Sequence, residues 1–104
     1  MVITTMNNKK RRPTHPGELL REDLLPAAGI TQTELAKMIG VSRRTVNEIV
    51  QERRGVTPDT AHRLARVFGT SPEVWVNMQK AVDLWDAMEA NGNKYKNIKP
   101  LEVA

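Results

Sequence analysis

Helix punctuation constrains this chain more than any other feature. Capping residues, helix-forming runs and glycines follow one another in order, as expected when the unpaired amides and carbonyls at each helix end must find partners. A first helix opens at Pro16, which suits a first turn because it has no amide to leave unpaired, and runs through GELLREDLL until Pro26 predicts its end. Thr31 and Glu34 form a T-x-x-E capping box ahead of the second helix, TQTELAKMIG, which Gly40 closes. After the turn GVS, Ser42 caps a third. Thr57-Pro58-Asp59 opens a fourth, with Ala61, Leu64, Ala65 and Phe68 at i, i+3, i+4 and i+7 and Gly69 as its stop. Ser71-Pro72-Glu73 opens a fifth that reaches about Ala90. No stretch alternates apolar and polar residues with β-branched enrichment, so the pattern predicts an all-α fold of five helices.

A chain of 104 residues has room for one domain. The pattern divides it into a flexible basic segment (1–14), a helical body (15–70), the fifth helix (71–90) and a flexible tail (91–104). Charge is unevenly distributed. The chain carries 16 Lys and Arg against 12 Asp and Glu; from Lys9 to Arg66 there are 12 basic and 7 acidic side chains, whereas from Thr70 to Asn93 only Lys80 faces four acids. The basic part favours a polyanionic partner, and the acidic part has a different task. With no cysteine there is no disulfide frame, thiol nucleophile or thiolate metal site. No apolar run approaches the roughly 18 to 20 residues of a membrane span, and the start MVITTMNNKKRRP lacks the order of a signal peptide, which predicts a cytoplasmic protein.

The second and third helices carry the functional signal. Two short helices joined by a three-residue turn with glycine make a helix-turn-helix, whose second helix enters the DNA major groove. Leu35, Ala36, Ile39, Val41, Val46, Ile49 and Val50 have the spacing to bury one face of each helix, with Ala36 and Gly40 small where the two helices come close. At about 100° per residue, Val46, Ile49 and Val50 then point inward and Arg44, Asn47, Glu48 and Gln51 outward, with Arg43 at the leading end. Two arginines in a first turn oppose the helix dipole, at about 0.3 to 1 kcal/mol each. Bidentate hydrogen bonding to guanine, worth about 1 to 3 kcal/mol of discrimination, outweighs that cost and explains them. The candidate DNA-contacting residues are Gln32, Thr33, Ser42, Arg43, Arg44, Thr45, Asn47, Arg53 and Arg54; of these, Gln32, Arg53 and Arg54 are placed over flanking phosphates. The competing reading is a solvated face on which Arg44 and Glu48, at i and i+4, form a weak ion pair.

The run QTELAKMIGVSRRTVNEI (residues 32–49) resembles the helix-turn-helix of the Cro and lambda-repressor family. PTHPGELLREDLL (13–25), SPEVWVNMQ (71–79) and the following VDLWDA are similar to the HigA antitoxins, also called VapI-like, of bacterial type II toxin-antitoxin operons. The resemblance covers residues 13 to 88. It implies a lambda-repressor-like fold and a homodimeric repressor of its own operon that binds double-stranded operator DNA and neutralises a HigB-type toxin, an mRNA-cleaving ribonuclease. An autonomous helix-turn-helix regulator without a toxin shares every DNA-facing feature and is the rival reading.

On the fifth helix, Val74, Trp75, Met78, Ala81, Val82, Trp85 and Met88 fill an arc of roughly 140°, wider than the stripe of about 100° that docking on one core requires. Trp75 and Trp85 are half of the chain's aromatics, and tryptophan is enriched at interface hot spots. Val74, Trp75, Met78, Val82 and Trp85 are therefore the candidate dimer interface, against the alternative that all of them close the chain's own core. Glu18, Glu22 and Asp23 on the first helix are the candidate toxin contact.

Nothing points to catalysis or to a cofactor. His15 sits at a helix cap beside Pro16, and His62 has no carboxylate or cysteine at metal-ligand spacing, so neither is expected to hold a metal. Single-strand RNA binding would require aromatics interleaved with the basic residues, and they are lacking.

Overall fold

The computed structural model describes residues 11–102, so Lys9 and Lys10 of the basic run lie outside it. The described residues form five helices and no strand. α1 is assembled from three consecutive stretches, Pro16–Leu19, a π-helical Leu20–Leu24 and Leu25–Ala28; α2 is Gln32–Ile39, α3 Arg43–Val50, α4 Pro58–Phe68 and α5 Pro72–Lys96.

The caps read from sequence are made. Thr31 accepts from the Glu34 amide at 3.0 Å while Glu34 accepts from the Thr31 amide at 2.8 Å. Ser42, Thr57 and Ser71 accept from the amides of Thr45, Thr60 and Val74. α1 is capped by an imidazole: the Gly17 amide donates to His15 Nδ1 at 2.9 Å, in a buried position. Burial disfavours the charged imidazole and lowers its pKa below the usual 6.5. A depressed pKa means that the unfolded chain takes up the proton first, so this contribution to stability is complete above about pH 6.5 and is lost as pH falls below it. His15→Asn keeps a capping acceptor. Its unfolding midpoint, followed by circular dichroism, is expected to fall less between pH 7 and pH 5 than that of the wild type; an equal fall would place the proton uptake elsewhere.

Two helix ends differ from the sequence expectation. α1 does not stop at Pro26 but continues to Ala28 and closes at Gly29, whose φ is +67°. The π-helical turn just before the proline explains this: the Leu25 amide reaches back five residues to Leu20 O, and this widened turn makes room ahead of the ring. α5 likewise passes Ala90 and runs to Lys96 through Gly92. A mid-helix glycine costs only about 1 kcal/mol, and Lys94 and Lys96 in the last turn suit the helix dipole. The flexible tail expected from residue 91 therefore begins as helix. Nor is residue 12 loose, because Arg12 grips Asp86 at 2.8 and 2.9 Å and Glu52 at 3.0 Å.

The core gathers one face of every helix. Leu20, Leu35, Ile49, Leu64 and Trp75 are its largest fully buried side chains. Trp75 is 0% exposed, donates its indole N–H to Thr70 Oγ1 at 2.9 Å and lies 6.0 Å from Phe68, ring to ring. Trp75 and Val82, at 0% and 1% exposure, are thus core residues of this chain and are not available to a second copy. Their positions on the helix face them inward, while Val74 (45% exposed), Leu84 and Met88 remain outside, with Met78 and Trp85 half-buried at the edge.

Candidate nucleic-acid interface

Gly40, at φ +74°, lets the chain turn between α2 and α3, and the amides of Gly40 and Val41 both return to Ala36 O. The nearest atom to a side chain placed at Gly40 is the Arg63 guanidinium at 3.1 Å; backbone conformation, rather than close approach of two helices, explains this glycine. The Val46, Ile49 and Val50 face of α3 is buried at 1 to 2% exposure, which fixes the opposite face outward.

On that face Arg43 and Arg44 stand in the first turn, exposed, the Arg44 side chain at 84%. Ser42 and Thr45 share a hydroxyl hydrogen bond of 2.9 Å beside them. Asn47 Nδ2 donates to Gln32 Oε1 at 3.0 Å, so Gln32 is tied across to α3. This bond aligns the start of α2 with the middle of α3. Thr33 is exposed on the first turn of α2. Six candidates, Gln32, Thr33, Ser42, Arg43, Arg44 and Thr45, therefore gather on the two helix starts and the turn, and Asn47 joins them from the middle of α3.

Arg53 and Arg54 are exposed just beyond α3, on a turn built by Glu52. Glu52 is the described non-glycine residue with positive φ, +62°; its amide bonds Ile49 O, and those of Arg53 and Arg54 bond Glu48 O. This is the hydrogen-bonding pattern of a Schellman end with glutamate where glycine is usual. Left-handed backbone costs a side-chain-bearing residue about 1 to 2 kcal/mol, and ion pairs from Arg12 (3.0 Å) and Arg21 (3.5 Å) hold Glu52 there. Gly55, just after this turn, lies against the Gln79 side chain.

Several charged residues have work inside the protein that sequence alone did not assign. Arg21 Nη1 donates to Val50 O at 2.7 Å and Arg63 Nη1 to Ile39 O at 2.8 Å, so two arginines cover the last carbonyls of α3 and α2. Those two and Arg12 therefore contribute to the basic balance while bonded within the protein. Glu48 is bridged to both Arg44 and Arg54, with hydrogen bonds from Arg54 and then Arg44 holding its carboxyl below the usual range. The i, i+4 spacing signalled the Arg44 pair; the Arg54 pair depends on the turn and had no local signal.

The helix-turn-helix family pattern matches residues 20–75. The chain is 42% identical over 100 residues to antitoxin HigA-1 of Vibrio cholerae, covering 95% of this chain and 93% of that one. It is 53% identical over 70 residues to virulence-associated protein I of Dichelobacter nodosus, spanning 67% of this chain and 65% of the relative. The chain belongs to the HigA/VapI-type antitoxin family. The antitoxin HigA of Pseudomonas aeruginosa, solved with the higBA promoter, superimposes with a TM-score of 0.82 at 44% identity, over 88% of this chain and all of that one. This HigA-type chain has the all-α helix-turn-helix fold read from its sequence. Among the described residues no helix is long and apolar enough to cross a membrane.

Proposed function

We propose that this chain is a DNA-binding antitoxin that represses its own operon as a homodimer and neutralises a HigB-type mRNA-cleaving toxin, acting in the cytoplasm and catalysing no reaction itself. The observation that carries the reading is the pair Arg43 and Arg44, exposed at the leading end of α3 in a fold shared with a HigA solved on promoter DNA. Asn47, Gln32, Thr33, Ser42 and Thr45 flank them as readers or phosphate contacts, and Arg53 follows the backbone beside Arg54, whose guanidinium is already engaged by Glu48. The deciding experiment is a gel shift with the duplex upstream of the chain's own gene, together with purification of the complex from its native cell. A specific shift and a small basic protein co-eluting support the proposal; a shift with repeated absence of any such protein favours an autonomous regulator.

The homodimer contact is assigned to the outer side of α5. With Trp75 and Val82 inside, the apolar surface left over is Val74, Leu84 and Met88, bordered by Met78 and Trp85. Exposed apolar residues grouped on one helix mark an interaction surface. Joining two copies there would present two α3 helices to half-sites about 34 to 36 Å apart. Trp85→Glu, and independently Leu84→Glu with Met88→Glu, are expected to halve the mass in light scattering. Unchanged mass in both would move the interface elsewhere. For the toxin, Glu22 and Asp23 are exposed on α1, although Glu22 already pairs with Arg21 at 2.9 Å, and Glu18 is half-buried.

A further inference from the structure

Among the candidate DNA-facing residues of α3 stands one acid. Glu48 follows Arg44 by four residues, and its side chain is only 22% exposed because two guanidinium groups cover it. Oε2 accepts from Arg44 Nε at 3.1 Å. Oε1 accepts from Arg54 twice, from Nε at 2.9 Å and from Nη2 at 2.6 Å. The backbone of the same residue builds the arrangement: Glu48 O accepts the amides of Arg53 and Arg54, folding the arm back until Arg54 meets the Glu48 carboxylate.

A carboxylate beside DNA repels phosphates, so its presence at this position needs a reason. The atoms it engages supply one. Glu48 holds Arg44 through Nε, and among the described residues Nη1 and Nη2 of Arg44 have no protein partner; this leaves the end-on pair of donors, which fits guanine O6 and N7, on a side chain 84% exposed. An exposed arginine otherwise samples many rotamers, and fixing one before binding removes that entropy cost from the encounter. Arg54 is held differently, by Nε and Nη2 together, which withdraws its fork from a phosphate and lowers attraction to any duplex regardless of sequence.

We propose that Glu48 is a specificity-determining positioning residue: it sets the end-on edge of Arg44 for base reading and restrains Arg54 from phosphate contact, so that discrimination rises while non-specific affinity falls. This rests on α3 being the recognition helix. Hydrogen bonds from Arg54 and Arg44 hold the carboxyl below the usual glutamate range, so it stays charged at neutral pH.

The test begins with the wild-type protein selecting a preferred duplex from a randomised library. Dissociation constants for that duplex and a scrambled one of equal length are then measured at several salt concentrations for wild type, Glu48→Ala and the near-isosteric Glu48→Gln, each also with Arg44→Ala. Both Glu48 substitutions are expected to tighten scrambled-duplex binding several-fold and steepen its salt slope by about 1, one further phosphate engaged. The preferred-to-scrambled ratio should drop about ten-fold, and much less where Arg44 is already alanine. A merely structural glutamate would shift the thermal midpoint and leave salt slope and ratio alone. The proposal is overturned if ratio and slope match wild type in both variants, or if the ratio drops equally with and without Arg44. Failure of the wild type to select any duplex would instead sink the recognition-helix reading itself, and this proposal with it.

Discussion

Replacing Arg43 and Arg44 together by alanine is expected to abolish sequence-specific DNA binding while leaving the helical fold and the mass of the assembly unchanged. Both side chains are exposed at the start of α3 and neither belongs to the core, so truncation opens no cavity. It relieves the unfavourable meeting of two cations with a helix N-terminus, about 0.3 to 1 kcal/mol each, so the melting point should hold or rise slightly. The loss of Arg44's ion pair with Glu48 subtracts little, since the pair is solvated at its arginine end. Two lost bidentate contacts at about 1 to 3 kcal/mol each amount to about 30- to 20,000-fold in the preference for the operator over scrambled DNA. Titration of both duplexes at one fixed salt concentration measures this. A double variant that still prefers the operator as strongly as wild type would mean that α3 does not read the bases.

What was legible in the sequence was whatever local chemistry decides. A hydroxyl three residues before the amide it serves specifies a helix start by itself, which is why the caps at Thr31, Ser42, Thr57 and Ser71 fell where the spacing put them. Apolar spacing in α2 and α3 likewise fixed which side of each helix is buried, and with it the outward pair of arginines. The misjudged points depend on partners distant in sequence. Trp75 and Val82 share an apolar arc with Val74 and Met88, and only the position of the neighbouring helices decides which edge of that arc is covered. Arg12 reaches Asp86, 74 residues away, and no pattern within a window of either residue announces it. Glu52 is a different case: left-handed backbone usually signals itself through glycine, and here a glutamate held by two arginines takes that position, so no local signal marked it. Pro26 failed as a stop signal because a π-helical turn absorbs it.

Gly17→Ala is expected to cost this fold about 3 kcal/mol or more, at the upper end of what inserting one methyl into a packed site does. A Cβ built at residue 17 would lie 1.8 Å from Ile49 O and 2.8 Å from Ile49 C, backbone atoms that cannot step aside as a side chain can. Nor is that carbonyl idle: it accepts the Glu52 amide at 2.9 Å, so moving it disturbs the turn that presents Arg53 and Arg54. Conformation is not the reason for the glycine, because Gly17 is absent from the residues with positive φ. Gly29 separates the two explanations. At φ +67°, with nothing within 4 Å of where a Cβ would sit, Gly29→Ala carries only the left-handed penalty of about 1 to 2 kcal/mol. At about 4 to 8 °C per kcal/mol for a domain of this size, Gly17→Ala should lower the thermal midpoint by more than about 12 °C, and clearly more than Gly29→Ala does. Equal shifts in the two variants, or a Gly17→Ala midpoint near wild type, would show that α1 does not rest directly on the end of α3. The direct contact is what couples the two: because α1 sits on a carbonyl in the last turn of α3, the proposed recognition helix, Gly17→Ala is expected to weaken DNA binding as well, although residue 17 is not among the proposed DNA-facing groups.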